Sequence, residues 1–323
     1  MTLQSPAIPF YDGEQVRALL DFDGCIQAVR EAMANFTRGS TEQPLRTIIP
    51  IAQGDLFALM PGMMEAPLGF GAKIITAYGD RDNPGRSAHR GVVVLFDRDT
   101  GMVACIADAG EVTHIRTAAA SAVATDALAR SDAARLAIFG CGAQAWTHAQ
   151  AIARVRPLSN IVIWGRDPAA AEIFAARAQA ALGIPACAKA DGREAARDAD
   201  IICTVTGSAT PVLLGDWVRP GTHVNLVGSS HAGPVEVDHA LVRNSRFIAD
   251  SRRSVLAAGA EFLKAKEAGL IDDDHIVAEI GEVLLGRVAG RTSRNDITVY
   301  KSLGHIVQDL AAATYIHQRA AEN

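Results

Sequence analysis

The chain has 323 residues, of which 49% are hydrophobic and 21% are charged, and its formal net charge at pH 7 is −5. This length is enough for two domains, and the composition is that of an ordinary globular protein. The net negative charge gives no reason to expect nucleic acid or an anionic membrane as a partner.

Cysteine usage and the amino terminus favour a cytoplasmic protein without a metal site. The five cysteines are scattered, with neither a Cys-x-x-Cys pair nor a Cys/His ligand spacing among them. We therefore expect most of them to be reduced packing residues. The first residues, MTLQSPAIPFYDGE, contain no basic segment followed by an apolar one, so no signal peptide is predicted. No apolar run approaches the roughly 20 residues that span a bilayer.

The first hundred residues predict two helices followed by a largely antiparallel sheet. Asp12 and Asp21 each precede a helical pattern and are predicted N-caps; the second helix covers about residues 24–36. Short β-rich runs separated by turn residues then cover residues 46–108, with a hairpin loop at residues 97–101. Because no helical pattern interrupts these runs, we expect neighbouring strands to pair antiparallel.

The pattern changes after a long alanine-rich helix at about residues 112–129. From Arg135 onwards strands and helices alternate, the strands being RLAIFG, NIVIWG, ADIICTVTG, THVNLVGSS and RFIADS. Such alternation predicts βαβ units, and hence an α/β fold with a doubly wound parallel sheet. Residues 298–320 are predicted to be helical.

The first strand of this region leads into a glycine-rich turn. The string GCGAQA, residues 140–145, has the form G-x-G-x-x-A and is followed by a helical pattern. Glycines are needed here because the chain turns tightly and a pyrophosphate must reach the N–H groups of the helix. The string therefore indicates a dinucleotide site at Gly140, Gly142, Ala143 and Gln144. The alternative is a turn that uses glycine only for its positive φ.

Residues at the ends of the later strands complete the predicted cofactor site. After the strand NIVIW, a glycine is followed by Arg166 and Asp167. An arginine at this tip favours a ribose 2′-phosphate, so we predict NADPH, with NADH possible if Asp167 binds the ribose instead. Thr206, Gly228 and Ser229 end later parallel strands and should face the cofactor, because ligands lie along such carboxyl ends.

Three cations in or near the β-rich part are candidate ligands of an anion. They are Arg46 at the start of a strand, Lys73 within GAKIITAYG and Arg116 within THIRTAAAS. A cation in an apolar strand costs free energy unless it is paired or lines a cleft. Together the three could hold a carboxylate, which arginines bind bidentately. Taken singly, each is better explained as an ordinary surface or paired cation.

Several motifs together resemble the ornithine cyclodeaminase/mu-crystallin family: RTAAASAVAT, GCGAQA and ITVYKSLGHIVQDLAAA. LMPGMM, the lysine-containing strand and FDRDTG fit as well. The resemblance implies an NAD(P)-dependent enzyme that acts on the C–N bond of an α-amino or α-imino acid and works as a homodimer. It also implies a discontinuous α+β substrate-binding and dimerisation domain, residues 1–115 with 299–323, joined to a Rossmann dinucleotide-binding domain, residues 116–298.

The resemblance assigns roles to individual residues. It places the substrate carboxylate on Arg46, Lys73 and Arg116. Further cofactor contacts are expected at His89, Thr117 and Thr298.

The stretch NLVGSSHAGPVEVD distinguishes the ornithine cyclodeaminases from the mu-crystallin-type reductases within this family. Ornithine cyclodeaminases carry an aspartate two residues after the strand-end glycine, whereas this chain has Ser230 there, as mu-crystallin-type reductases do. The arginine in IWGRD likewise resembles the NADPH-using reductases. GSSHAGPVEVD further resembles bacterial Δ1-pyrroline-2-carboxylate reductases. A turn of small residues beside the nicotinamide is the alternative explanation for Ser229 and Ser230.

These resemblances predict an NADPH-preferring reductase of cyclic imino acids, which forms L-proline from Δ1-pyrroline-2-carboxylate. A preformed imine needs no carboxylate to strip an ammonium, so Lys73 can donate the proton while Ser230 orients the nitrogen or a water. Δ1-piperideine-2-carboxylate should also react, giving L-pipecolate, because one methylene changes binding by only about 1–3 kcal/mol. The alternatives are an ornithine cyclodeaminase, an alanine dehydrogenase-like enzyme and a non-catalytic nucleotide-binding protein.

Overall fold

A computed structural model of the chain describes residues 7–39, 43–51, 55–65, 69–79 and 87–322, without the side chains of residues 79 and 87–89. The chain divides into two compact units. Unit 1 comprises residues up to Arg116 together with those from Ile306 onwards, and unit 2 comprises residues 117–305.

The strands of the described residues are β1 (Phe10–Tyr11), β2 (Thr47–Pro50), β3 (Leu56–Met64), β4 (Gly69–Gly79), β5 (Ser87–Phe96), β6 (Val103–Asp108), β7 (Arg135–Phe139), β8 (Asn160–Trp164), β9 (Ala186–Lys189), β10 (Ile201–Thr204), β11 (His223–Leu226), β12 (Arg246–Ala249), β13 (Ile276–Glu279) and β14 (Thr298–Lys301).

The helices are α1 (Gly13–Leu19), α2 (Phe22–Arg38), α3 (Ala109–Leu128), α4 (Ala143–Val155), α5 (Pro168–Leu182), α6 (Gly192–Ala196), α7 (His239–Arg243), α8 (Arg252–Ala258), α9 (Ala260–Glu267), α10 (Ile280–Leu284) and α11 (Ile306–Glu322). Short 3-10 helices cover Gly215–Trp217 and Asp273–His275.

The described residues of unit 1 form a six-stranded sheet in the order β1-β6-β5-β4-β3-β2. Strands β2 to β6 pair antiparallel, which confirms the prediction for this part of the chain, and the loop between β5 and β6 is closed by a hydrogen bond from the Asp97 N–H to the Met102 carbonyl. Strand β1 adds a parallel pair with β6 that was not predicted. Two residues are too few to show an alternating pattern.

The helices of unit 1 begin where their capping residues predict. Asp12 accepts from the N–H groups of Glu14 and Gln15, and Asp21 accepts from that of Gly24, so both predicted N-caps are confirmed. Helix α11 packs on β3, β4 and β5 as well as on α2.

Unit 2 is a doubly wound parallel sheet in the order β13-β12-β14-β11-β10-β7-β8-β9. All its pairs are parallel, and helices follow most of its strands, as predicted. Strand β10, Ile201–Thr204, is buried along its whole length. This is typical of a central strand whose two faces are both covered.

One predicted helix is in part a strand. Residues 298–320 were predicted to be helical, but Thr298–Lys301 form β14, and α11 begins only at Ile306. The TVYK run pairs with β11 on one side and β12 on the other, so a fully buried position in the sheet outweighs its helical context. The predicted domain boundary at residue 299 falls inside this strand, whereas the structure keeps the strand in unit 2.

No helix of the described residues has both the length and the apolar character needed to cross a membrane. Within the same residues, no cluster of three metal-ligating side chains occurs. All five cysteines are free: Cys25, Cys105 and Cys203 are buried, Cys141 is half-buried and Cys187 is exposed.

Candidate active site

Lys73 is a buried cation on the inner face of the sheet in unit 1. It lies in β4, opposite Met60 of β3 and Val93 of β5, and only 2% of it is exposed. Its Nζ lies 3.2 Å from Oδ1 of Asp309 on helix α11. The predicted odd cation in an apolar strand is therefore paired with a buried carboxylate.

Arg116 binds the same carboxylate oxygen. Its Nε donates to Oδ1 of Asp309 at 2.9 Å, and its Nη1 donates to Oε1 of Gln308 at 2.9 Å. Asp309 is fully buried, and its second oxygen, Oδ2, has no hydrogen-bond partner among the residues that the structure describes. Two neighbouring residues of α11 thus fix the orientation of the guanidinium.

The cluster has unusual protonation equilibria because it is removed from water. Burial lowers the pKa of Lys73 to about 8, although the Asp309 carboxylate opposes that shift. Burial alone would raise the pKa of Asp309, but the cations Arg116 and Lys73 hold it below its ordinary value. A lysine with a pKa of about 8 can both hold and release a proton near neutral pH.

Arg46 belongs to the same electrostatic environment. It precedes β2, is half-buried, and lies close enough to lower the pKa of Lys73. The structure therefore places two of the three predicted cations, Lys73 and Arg116, on one carboxylate, with Arg46 near Lys73. The resulting excess of positive charge suits a small anion such as a carboxylate.

Asp309 is not among the site residues that the sequence predicted. The residue stands within the quoted segment IVQDLAAA, where an acid on an otherwise apolar helix resembles the lysine in the apolar strand. An isolated acid in an apolar helical pattern, like an isolated cation in an apolar strand, indicates a residue that needs a partner of opposite charge.

The glycine-rich turn of unit 2 has the geometry of a dinucleotide site. Gly140 has φ +131°, which other residues rarely adopt, and Gly142 is the N-cap of α4. The cap has no side-chain hydrogen bond, and the first turn, which includes Ala143 and Gln144, contains no acid. A Cβ added to Gly142 would meet no atom within 4 Å, so the space in front of the helix is open. The residues therefore fit the pyrophosphate of a nicotinamide dinucleotide.

The tip of β8 contains the residues that should distinguish the two forms of the cofactor. Arg166 is exposed there. The Asp167 carboxylate caps α5, since its Oδ1 accepts from the Ala169 N–H at 3.0 Å. Gly165 has no room for a side chain, because a Cβ would lie 2.5 Å from Sγ of Cys141.

The ends of β10 and β11 are joined by Glu236, the acid that follows the serine-rich stretch. Its Oε1 accepts from the N–H and the hydroxyl of Thr206 at 2.6 and 2.7 Å. Its Oε2 accepts from the Gly228 N–H at 2.7 Å and from the Thr204 hydroxyl at 2.8 Å. Glu236 is fully buried, and burial raises its pKa although these hydrogen bonds oppose the shift.

A buried ion pair lies beside this carboxylate. Lys301, at the end of β14, lies 2.8 Å from Oε2 of Glu261 and donates to the Ser229 carbonyl at 2.6 Å. The Ser229 side chain is 1% exposed, and its hydroxyl has no partner in the described part of the chain. Ser230, the next residue, is half-buried. The predicted residues Thr206, Gly228 and Ser229 thus share one edge of the sheet.

Three further residues were predicted to contact the cofactor, and they do not all lie at the carboxyl edge of the sheet in unit 2. Thr298 begins β14 and therefore lies at the amino edge of the parallel sheet, where it contacts His223 and Arg291 rather than the strand-end residues. Thr117 lies in α3, is 7% exposed, and its hydroxyl has no partner among the described residues. The backbone of His89 pairs with Ala77, but its side chain is outside the described residues.

Comparisons with known proteins show similarity over nearly the whole chain. The family model of the ornithine cyclodeaminase/mu-crystallin family matches residues 10–323. The chain is 33% identical over 308 residues to a Delta(1)-pyrroline-2-carboxylate reductase of Bacillus cereus, covering 95% of this chain and 94% of the relative. It is 34% identical over 298 residues to the ketimine reductase mu-crystallin of Mus musculus, covering 90% of each chain.

A solved structure is similar over nearly the whole chain. It is that of the Delta(1)-pyrroline-2-carboxylate reductase of Thermococcus litoralis in complex with NADH and L-proline. The TM-score is 0.93 at 30% identity, and 98% of each chain is covered.

Proposed function

The chain belongs to the ornithine cyclodeaminase/mu-crystallin family, as an NAD(P)H-dependent oxidoreductase, and on this premise we propose that it reduces Δ1-pyrroline-2-carboxylate to L-proline with a preference for NADPH. The observation that carries the proposal is the buried cluster of Lys73, Arg116 and Asp309, which supplies an anion site and a titratable proton in one place. Relatives named as reductases of cyclic imino acids support the choice of substrate.

The two arginines bind the substrate carboxylate in this proposal. Arg116 is held by Asp309 and Gln308, so little side-chain entropy is lost when it binds a ligand. Arg46 adds a second positive charge close by. Hydrogen bonds to a charged group contribute about 1.5–3 kcal/mol each, which suffices to anchor a small imino acid.

Lys73 is the proposed proton donor. When bound, the reduced nicotinamide supplies the hydride that the imine carbon accepts. Lys73 keeps the imine nitrogen protonated, and its pKa of about 8 leaves it mostly charged at neutral pH. Ser230 is proposed to orient the nitrogen or a water. No carboxylate follows Gly228 directly, in keeping with a reaction that strips no ammonium from an amine.

The preference for NADPH rests on the tip of β8. Arg166 is exposed and could therefore bind a ribose 2′-phosphate, whereas the Asp167 carboxylate already caps α5. The five free cysteines support a reducing, cytoplasmic location.

We further propose a homodimer formed through unit 1. Strand β2 is an edge strand and all four of its residues are exposed, among them Ile48 at 40% and Ile49 at 51%. Exposed apolar residues on a sheet edge favour burial against another chain. Sedimentation of the purified protein at several concentrations tests this, and an Ile49→Glu variant should sediment as a monomer.

The proposed function is tested by steady-state kinetics. Freshly prepared Δ1-pyrroline-2-carboxylate is assayed with NADPH and with NADH, alongside ornithine plus NAD⁺. We expect rapid oxidation of NADPH with formation of L-proline, slower reaction with NADH and no release of ammonia from ornithine. Efficient deamination of ornithine would contradict the proposal.

A further inference from the structure

The buried carboxylate of Glu236 connects the two loops that follow β10 and β11. Its two oxygens each accept one backbone N–H and one hydroxyl, and the two N–H groups belong to Thr206 and Gly228, at the ends of adjacent strands. Both residues stand at the carboxyl edge of the sheet, where ligands of doubly wound folds bind. One side chain therefore determines the spacing of two loops that the cofactor should contact.

Only a carboxylate can make this set of contacts. A glutamine offers one oxygen and one NH₂ group, so in either orientation the NH₂ would face the backbone N–H of Thr206 or of Gly228 in place of an acceptor; the Gly228 N–H also donates to the Thr204 carbonyl, at 3.2 Å. Gly228 is part of the same arrangement, because a Cβ there would lie 2.6 Å from Cδ of Glu236. The missing side chain at position 228 and the hydrogen-bond donors around it therefore both suit a carboxylate at position 236.

The neighbouring serine indicates that this edge receives a ligand. The Ser229 hydroxyl is buried and has no partner among the residues described, while its carbonyl accepts a hydrogen bond from Lys301. An unpaired buried hydroxyl costs free energy unless a ligand or water satisfies it. Among the described residues, Glu236 thus binds the Gly228 N–H and Lys301 binds the Ser229 carbonyl, while the Ser229 hydroxyl is available to a ligand or a water.

We propose that Glu236 is a positioning residue for the dinucleotide. It holds the loops after β10 and β11, through Thr206 and Gly228, in the conformation that receives the cofactor, and Lys301 fixes the adjoining carbonyl. This inference deepens the proposed function and rests on its assignment of a nicotinamide cofactor. Glu236 touches neither substrate nor cofactor in this account; it acts through the backbone of its neighbours.

The hydroxyl of Thr204 allows a test that leaves every predicted ligand contact intact. Thr204 is fully buried in β10, and its hydroxyl donates to Glu236. The variant Thr204→Val removes that donor with little change in volume, and Thr204→Ser keeps it. Glu236→Gln is the stronger variant. Binding of NADPH is followed by titration of its fluorescence, and hydrogen exchange of the amides in residues 226–231 is measured in the absence of cofactor.

We expect Thr204→Val to weaken NADPH binding by about three- to tenfold and Glu236→Gln to weaken it by more, with faster amide exchange in residues 226–231. Thr204→Ser should match the wild type. Variants that bind NADPH as the wild type does would overturn the inference, as would a Thr204→Ser variant as weak as Thr204→Val. If Glu236→Gln does not fold, the comparison of Thr204→Val with Thr204→Ser still tests the inference.

The assay also separates this inference from the proposed function. It measures cofactor binding directly and needs no imino acid. A wild type that binds neither NADPH nor NADH refutes the proposed function and, with it, this inference. A wild type that binds NADPH alongside unaffected variants refutes this inference alone.

Discussion

Lys73 and Asp309 are 236 positions apart in the chain, yet the Nζ of one lies 3.2 Å from Oδ1 of the other, and both side chains are buried. The same oxygen accepts from Arg116. A single carboxylate therefore balances two cations and sets the protonation of the lysine that we propose as the proton donor.

The activity should fall as the pH rises through about 8, the pKa of Lys73. The protonated lysine is the active acid, and above its pKa the proton is lost, so kcat/KM for the imino acid should decline with a slope of about one decade per pH unit. A pH–rate profile measures this. A Lys73→Met variant, whose residual activity should lack the decline, is the control. A wild-type profile that stays flat to pH values well above 8 would refute the assignment.

Replacing Asp309 by asparagine should move that decline to lower pH. The carboxylate raises the pKa of Lys73, so its removal leaves two buried cations facing each other and makes protonation of the lysine less favourable. The free energy of unfolding should fall by about 3–5 kcal/mol, which urea unfolding measures. Gln308→Leu is the matched control, because it removes a partner of Arg116 without removing charge. Superimposable profiles for Asp309→Asn and the wild type would contradict the prediction.

Arg116→Lys should raise KM for the imino acid by about tenfold or more while leaving KM for NADPH unchanged. A lysine keeps the charge but cannot bond to Asp309 and Gln308 and also present a planar fork to a carboxylate. Separate KM measurements for the two substrates distinguish these effects. An equal rise in both KM values would mean that the change disturbs the fold rather than the carboxylate site.

Gly142→Ala and Gly140→Ala should both weaken cofactor binding, but only the second should lower stability. A Cβ at Gly142 would meet nothing within 4 Å apart from its chain neighbours, so it should cost little stability while it enters the space in front of the helix where we expect the pyrophosphate. Gly140 has φ +131° and a Cβ there would lie 3.1 Å from the Val205 carbonyl oxygen. Thermal unfolding and NADPH titration of the two variants check this. Unchanged NADPH affinity in Gly142→Ala would contradict the placement of the dinucleotide.

Arg166→Ala should reduce kcat/KM for NADPH by about tenfold or more and leave that for NADH nearly unchanged, because only NADPH carries the 2′-phosphate. Arg197→Ala is a suitable control, since Arg197 is also exposed but pairs with Asp198 elsewhere in unit 2. The ratio of kcat/KM for the two cofactors is the quantity to compare. A ratio that does not change in Arg166→Ala would show that another group selects the cofactor.

Local signals in the sequence were enough for much of the fold. Asp12 and Asp21 begin helices because their side chains satisfy first-turn N–H groups, a contact that spans only three residues. The glycine-rich turn was recognisable for the same reason, since strand, turn and helix are contiguous. Lys73 stood out because a cation in an apolar strand requires a partner.

Local sequence signals could not identify the residues that pair with these side chains in the fold. Asp309 meets Lys73 only because α11 returns from the far end of the chain to pack on β4, and no local pattern encodes that contact. The contacts of Glu236 could not be predicted for a similar reason, since its hydrogen bonds to Thr204 and Thr206 join residues 32 and 30 positions apart in the chain.

The incorrect prediction of a helix at Thr298 has a related cause. Its segment was predicted as part of the C-terminal helix, but TVYK inserts between β11 and β12 as an interior strand of the parallel sheet. The direction of that strand puts Thr298 at its amino end and Lys301 at the edge shared with Ser229. Tertiary packing therefore determined both the secondary structure of this segment and the edge of the sheet at which Thr298 lies.

The central claim, reduction of a cyclic imino acid by NADPH, is tested most directly by following the transferred hydrogen. NADPH carrying deuterium at the transferable position of the nicotinamide is incubated with the protein and Δ1-pyrroline-2-carboxylate, and the product is examined by NMR and mass spectrometry. We predict L-proline with deuterium bound to its α-carbon. Absence of deuterated proline, together with formation of proline and ammonia from ornithine, would contradict the account and identify a cyclodeaminase instead.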